Sequence, residues 1–276
     1  DARPTVADQY GVYAFTMLVS VSSLSVFDAN GNVWGAGVQL AGWSRLSYSS
    51  ITVLNAYGFQ IANASMTSVS FSSIQTNSAS LPSINLVNST TNTFTVVLAS
   101  NPAGGPLSID AGSTHNTVTL STMVTNSFGG SGVTVNGTSN TVSHSYIAGY
   151  LANTFSVSGT TFTLFASTVA RMSVSFGSSY GRADRLVTSS GSFSFANGNY
   201  NTLSRSSISS NGAGLGGAVT FNNASFNTMS QTFVANVGGG AAVYFRASSN
   251  TVTGSTIVAT GDAAVVFNAL INDAYG

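Results

Sequence analysis

Charge is what this sequence has least of. Only 5% of its 276 residues are charged, and lysine and glutamate do not occur at all. Seven arginines balance seven aspartates, so the formal net charge is zero. Nucleic-acid recognition needs a basic face, and attraction to an anionic membrane needs clustered basic residues. The composition therefore predicts neither partner.

Cysteine is also absent, which excludes disulfides, thiolate metal sites and cysteine nucleophiles. No run of about 18 apolar residues occurs, so we expect no membrane span. The composition is typical of a secreted protein, and no charged-then-apolar leader precedes Asp1. We therefore expect a secreted, extracellular chain from which any signal peptide has been removed. Hydrophobic residues make up 43% of the chain, which predicts a packed core rather than disorder.

A four-residue motif, Asn-Thr-apolar-Thr/Ser, recurs along the chain. Its copies begin at Asn92, Asn116, Asn140, Asn201, Asn227 and Asn250. A relative without the asparagine is Thr160–Thr163. Most copies start roughly 20 to 26 residues apart, which is typical of a solenoid or array. The residue two places after each asparagine is always apolar, so these residues are predicted to form one core column: Phe94, Val118, Val142, Leu203, Met229 and Val252.

Each repeat contains three short β-prone stretches separated by Gly, Asn and Ser turns. Three strands per coil with asparagine at a repeated corner resemble the right-handed parallel β-helix of the pectate-lyase-like superfamily, and Ser248–Ile257 is similar to its generic repeat. The resemblance implies an all-β, right-handed parallel β-helix of about ten rungs. We expect residues 1–36 to form an N-terminal cap and residues 37–276 a single β-helix domain. This scaffold carries enzymes, phage spikes and adhesins, so it predicts a fold and not a function.

The residues one and three places after each asparagine should point outward, because strand side chains alternate. They would form two files of hydroxyl groups: Thr93, Thr95, Thr117, Thr119, Thr141, Ser143, Thr161, Thr163, Thr202, Ser204, Thr228, Ser230, Thr251 and Thr253. Strand geometry spaces them by about 4.8 Å along a file and about 6.6 Å across the pair. This array is similar to the Thr-x-Thr arrays of ice-binding β-solenoids. Ice binding is therefore the first hypothesis, with interruptions at Arg45 and at Arg185 and Val187.

Two other hypotheses stay open. The apolar strand Ala263–Phe267 has no recognisable capping helix, which favours end-to-end self-association in an adhesin-like or filament-forming solenoid that contacts an extracellular polymer. A polysaccharide lyase-like enzyme would need a base such as His144 or Arg182.

Charged residues cluster once, at Arg171, Arg182, Asp184 and Arg185. The cluster would either bind an acidic sugar or form a solvated loop. His144 and Arg205 occupy the same slot, four places after the asparagine position, and His115 lies about one rung from His144. These two histidines lack a third metal ligand. We therefore expect no catalytic residue, no metal and no cofactor.

Overall fold

The computed structural model describes residues 8–14, 18–127, 132–150, 152–212, 217–261, 263–268 and 273–275, with only the backbone described at residues 8, 9 and 273–275. Within these ranges every regular element is a β-strand. The same residues include no helix long and apolar enough to cross a membrane.

Three parallel sheets run the length of the molecule, and each coil of the chain visits them in turn. The first sheet contains twelve strands of the described chain. They are Asp8–Ala14, Val33–Leu40, Tyr57–Ala62, Ile84–Val87, Leu107–Ile109, Thr134–Val135, Thr154–Val157, Ser173–Phe176, Phe193–Ala196, Val219–Asn222, Val243–Phe245 and Val265–Phe267.

The second sheet contains the Asn-Thr motif. Its strands are Ser20–Ser22, Arg45–Ser47, the first half of Ser68–Asn77, the first half of Thr93–Asn101, Thr117–Thr119, Thr141–Ser143, Thr163–Phe165, Arg182–Asp184, Thr202–Ser204, Thr228–Ser230, Thr251–Thr253 and Asp273–Tyr275.

The third sheet follows after a single corner. Its strands are Ser25–Asp28, Ser50–Leu54, the second halves of Ser68–Asn77 and Thr93–Asn101, Thr122–Thr125, Tyr146–Ala148, Thr168–Ala170, Val187–Ser189, Ser207–Ser210, Phe233–Asn236 and Thr256–Ala259. We number the coils by their first-sheet strand, so that coil 1 begins at Asp8 and coil 12 at Val265. The prediction of an all-β, right-handed parallel β-helix is confirmed.

The interior is a continuous apolar column. Every member of the predicted core column is buried, from Phe94 at 0% exposure to Val252 at 4%. Each stacks on its counterpart in the next coil, as Val118 pairs with Val142. The first sheet adds aromatic rings, including Phe221, which stacks on Phe245 with ring centroids 4.7 Å apart. Burial of these columns drives folding, because apolar area removed from water stabilises by about 25 cal/mol per Å².

The asparagine column is also internal, and its amides link successive coils. Asn92 donates from its backbone nitrogen and its side chain to Oδ1 of Asn116, at 3.0 and 2.9 Å. Asn116 donates in the same way to Oδ1 of Asn140, at 2.8 and 3.0 Å. Asn227 repeats the pattern with Asn250. The column therefore satisfies buried backbone groups at the corner, as a structural role requires.

The predicted cap contains strands that continue the same architecture. Asp8–Ala14 pairs in parallel with Val33–Leu40, and Ser20–Ser22 pairs with Arg45–Ser47. A turn around Asn30 follows the third-sheet strand: the Asp28 carboxylate accepts hydrogen bonds from the backbone of Asn30 and Val33. Residues 8–14 and 18–28 thus form coil 1 and cover coil 2, whereas a separate domain ending at residue 36 stays a prediction.

Candidate functional site

The outer surface of the second sheet carries the predicted hydroxyl files over coils 4 to 6. Thr117 pairs with Thr93 on one side and with Thr141 on the other. The second file places Thr119 beside Ser143, whose hydroxyl donates to it at 3.1 Å. All of these side chains are partly exposed, whereas the residue between each pair is buried. Coils 9 to 11 repeat the pattern at Thr202/Ser204, Thr228/Ser230 and Thr251/Thr253.

The prediction for coil 7 is wrong by two residues. Thr141 pairs with Thr163, and Ser143 pairs with Phe165. Thr161 instead lies at the corner, with φ at +55°. The internal asparagine position is taken by Phe162, whose buried ring packs edge-on against Phe155 at 5.8 Å. Coil 7 therefore contributes one hydroxyl and one aromatic ring to the files.

The interruption predicted at Arg185 and Val187 is also misplaced, whereas the one at Arg45 is confirmed. In coil 8 the second-sheet strand is Arg182–Asp184, with Arg182 paired to Thr202 and Asp184 paired to Ser204. Arg185 lies at the next corner, with φ at +54°. Val187 lies on the third sheet. The predicted register was wrong because Gly181 occupies the asparagine position of this coil. No motif residue therefore marks where the second-sheet strand of coil 8 begins.

Asp184 is the centre of an arginine cluster, which comprises Arg182, Asp184, Arg185 and Arg205. Its side chain is fully buried beneath two guanidinium groups. Arg205 donates from Nε to Oδ1 at 2.8 Å, and a second of its nitrogens contacts Oδ2. Arg182 donates to Oδ2 at 3.1 Å, and Ser204 donates to Oδ1 at 2.9 Å. One carboxylate therefore fixes two arginines that each remain about half exposed.

This geometry sets the charge state of the cluster. Burial would raise the pKa of the Asp184 carboxyl, but hydrogen bonds from Arg205 and Ser204 and the charges of Arg205 and Arg182 outweigh burial and lower it. The pKa of Arg205 is correspondingly raised by its hydrogen bond to Asp184. Both groups are therefore ionised at neutral pH.

Arg185 completes the cluster from the corner. Its guanidinium lies 5.5 Å from the ring centroid of Phe165, which is a cation–π contact. Three guanidinium groups and one carboxylate leave two net positive charges at this place. Arg171, which the sequence grouped with them, lies over Tyr150 instead, at the corner after the third sheet.

An aromatic ladder stands along the opposite edge of the second sheet. Tyr180 stacks on Tyr200, and Tyr200 stacks on Phe226, with centroids 5.3 Å apart in both pairs and planes within 8° of parallel. All three rings are more than half exposed and lie at the corner with φ between +58° and +61°. This ladder was not predicted from the sequence, although two of its rings, Tyr200 and Phe226, directly precede motif asparagines.

Coils 8 to 10 therefore share one order of side chains across the sheet. An exposed ring comes first, an outward polar pair follows, and a polar or cationic corner residue ends the row. In coil 8 the row is Tyr180, Arg182, Asp184 and Arg185. In coil 9 it is Tyr200, Thr202, Ser204 and Arg205. In coil 10 it is Phe226, Thr228, Ser230 and Gln231.

The two histidines and Asp110 do not join this site. His115 lies at the corner before the second sheet, and His144 lies at the corner after it, where it contacts Phe165 edge-on. Asp110 bonds to the hydroxyl of Ser113 at 2.6 Å, and Asp262 lies outside the described residues. Across the described part of the chain, no three His, Cys, Asp or Glu side chains are grouped to hold a metal ion.

No family model and no curated protein matches this chain. Among solved structures, it is similar to the tailspike protein gp49 from Pseudomonas phage LKA1, with 11% identity and a TM-score of 0.49 over 91% of this chain. The chain spans about half of that tailspike, or 48%. It is also similar to the Azotobacter vinelandii mannuronan C-5 epimerase AlgE4 A-module, with 9% identity and a TM-score of 0.43 over 93% of this chain and 91% of the module.

A third similar structure is the polygalacturonase from Erwinia carotovora ssp. carotovora, with 8% identity and a TM-score of 0.35 over 99% of both chains. These likenesses concern the fold alone.

Proposed function

We propose that this chain is an extracellular polysaccharide-binding β-helix, which holds an acidic sugar polymer on the second sheet across coils 8 to 10. The observation that supports this most directly is the pairing of the aromatic ladder on one edge with the arginine cluster on the other. Sugar rings present apolar faces and hydroxyl groups, and acidic sugars add a carboxylate or sulfate. The rows of coils 8 to 10 offer a counterpart to each of these groups.

The arginines are well prepared for an anionic ligand. Asp184 holds Arg205 through two nitrogens, so less side-chain entropy is lost when a ligand binds. Guanidinium groups bind carboxylate with paired hydrogen bonds. A polymer that runs along the solenoid would meet one such row about every 4.8 Å, with arginines in coils 8 and 9 and Gln231 in coil 10.

Binding to polygalacturonate, measured by calorimetry or affinity electrophoresis, tests this proposal. We expect binding that weakens with added salt, because the contacts are exposed charges, and little binding to uncharged dextran of similar length. Arg182→Gln with Arg185→Gln should weaken binding at least tenfold, since a hydrogen bond to a charged group contributes about 1.5–3 kcal/mol.

Arg246→Gln is the matched control, because Arg246 is exposed over Tyr244 away from the second sheet. It should bind as the parent does. Equal affinity of the parent, the double variant and the control, or equal binding of dextran, would refute an acidic-polymer site on coils 8 to 10.

Ice binding is a second candidate, supported by the in-register hydroxyl files of coils 4 to 6. The site residues proposed for it are Thr93, Thr95, Thr117, Thr119, Thr141 and Ser143, with Thr163 extending the first file and the Thr/Ser pairs of coils 9 to 11 forming a separate segment. Thermal hysteresis of the purified protein tests it. Unmodified ice crystals at high protein concentration would eliminate it.

A further inference from the structure

The corner between the second and third sheets carries a run of exposed apolar side chains in coils 2 to 5. This corner stripe comprises Tyr48, Phe71, Val96, Leu98 and Leu120, which are 40% to 64% exposed. Tyr48 and Phe71 stack with ring centroids 5.1 Å apart and planes within 5°. All but Leu98 occupy the same position in successive coils, directly after the second-sheet strand.

The backbone at this position does not favour such residues. Tyr48, Phe71, Val96 and Leu120 have φ between +46° and +54°. Glycine and asparagine adopt this region most readily, and it is unfavourable for a β-branched residue such as Val96. In coil 11 the position is Gly254. Bulky apolar side chains that are half exposed in this conformation add little to folding, so the stripe leaves apolar surface that is available for a contact.

The surroundings of the stripe have the anatomy of a protein interface. Tyr48, Phe71, Val96 and Leu98 line one shallow depression whose remaining lining residues are Ser23, Leu24, Ser25, Ser49, Ser50, Ser72 and Ser73. An apolar centre with a polar rim is usual at interfaces. At about 100 Å² for each half-exposed side chain, the stripe presents roughly 500 Å² of apolar surface. One partner contributes ~800 Å² to a standard interface, and a little over half of that area is apolar. The two apolar areas are therefore similar.

We infer that the corner stripe is the interface through which two copies of this chain pack side by side. The stripe is a row of ridges repeated about every 4.8 Å, the strand spacing. A second copy carries the same repeat, so the two stripes can lie against each other in register along their whole length. The depression has no charged lining residue, so two copies can face each other without burying an unpaired charge. A two-fold axis would then bring the same surface from each copy together.

Sedimentation over a range of protein concentrations tests this inference. We expect the parent to form a dimer and the Phe71→Asn, Leu120→Asn double variant to associate at least tenfold more weakly. Asparagine tolerates the left-handed backbone, and circular dichroism would verify that the variant is folded. The matched control is Tyr200→Asn with Phe226→Asn, which removes two exposed stacked rings from the other corner and should leave association unchanged.

Cross-linking gives a second measurement that does not depend on weakening the stripe. The chain has no cysteine, so a disulfide formed by a single introduced cysteine reports that the same position of two copies lies close together. Under mild oxidation, Ser50→Cys at the rim should form covalent dimers, whereas Ser175→Cys on the first sheet should not. A parent that is monomeric at every concentration, or equal association of both asparagine double variants, would overturn the inference, and so would equal cross-linking of both cysteine variants.

Discussion

Removing the side chain of Asn116 should destabilise the fold by several kcal/mol without touching the surface. Asn116 is fully buried and lies between Asn92 and Asn140 in the internal amide column. Its Oδ1 accepts both the backbone and the side-chain N–H of Asn92. Its own Nδ2 donates to the carbonyl of Ser89 at 3.0 Å and to Asn140.

The consequences of Asn116→Ala can be followed group by group. The carbonyl of Ser89 keeps the backbone hydrogen bond from Thr114 at 3.0 Å. Oδ1 of Asn140 keeps the backbone N–H of residue 116. The backbone N–H of Asn92 loses its acceptor, and the side chain of Asn92 retains only a 3.5 Å contact to the carbonyl of Ala64. One to two buried donors are therefore left unsatisfied.

Each unsatisfied buried donor costs about 1–3 kcal/mol, so one to two of them in Asn116→Ala should lower the free energy of unfolding by about 1–6 kcal/mol. Urea unfolding followed by circular dichroism and by tryptophan fluorescence would measure the loss. Asn222→Ala is the control, since Asn222 is partly exposed on the first sheet, and it should stay within about 0.5 kcal/mol of the parent. A loss below about 1 kcal/mol for Asn116→Ala would refute a stabilising role for the amide column.

Four further outcomes can be measured. Val142→Ala should cost about 1–3 kcal/mol in urea unfolding from lost burial and a cavity, whereas Thr141→Tyr should cost about 0.5 kcal/mol or less and abolish any thermal hysteresis. Gly159→Ala should destabilise more than Val142→Ala, because its new methyl group would overlap the backbone oxygen of Gly137. Folding lowers the pKa of Asp184 from its ordinary value of 3.8. The ionised carboxylate should therefore stabilise the fold fully above pH 3.8, and this stabilisation should disappear as pH falls through the folded pKa. Asp184→Asn should lack this acid-dependent loss.

The sequence predicted the interior of this molecule well. The apolar column and the asparagine column both repeat once per coil, and a side chain that faces inward must suit the same neighbours every time. Val118, Val142 and Asn116 could therefore be placed without a structure, because a one-residue slip would expose every core residue of the strand.

The outer surface was harder to predict where the motif is missing. Coils 7 and 8 carry Phe162 and Gly181 in place of asparagine, so nothing in the sequence marked their register. The errors at Thr161 and Arg185 follow directly. The aromatic ladder was missed for another reason. Tyr180 and Tyr200 lie at left-handed corners, where the alternation of strand side chains does not apply.

The two candidate functions require opposite properties of the same sheet. Adsorption to ice needs a flat and uniform surface, which coils 4 to 6 approach with hydroxyl pairs such as Thr117 and Thr119. A sugar polymer needs relief and charge, which coils 8 to 10 provide through Tyr200 and Arg182. Phe165, Arg182 and Asp184 interrupt the hydroxyl array and divide it into two shorter segments, which would weaken cooperative adsorption to ice. Arg182 and Asp184 belong at the same time to the proposed charged site. Because Thr141 lies in the hydroxyl segment of coils 4 to 6 and Arg182 lies in the interruption at coil 8, variants at these two positions can test the two functions independently in one protein.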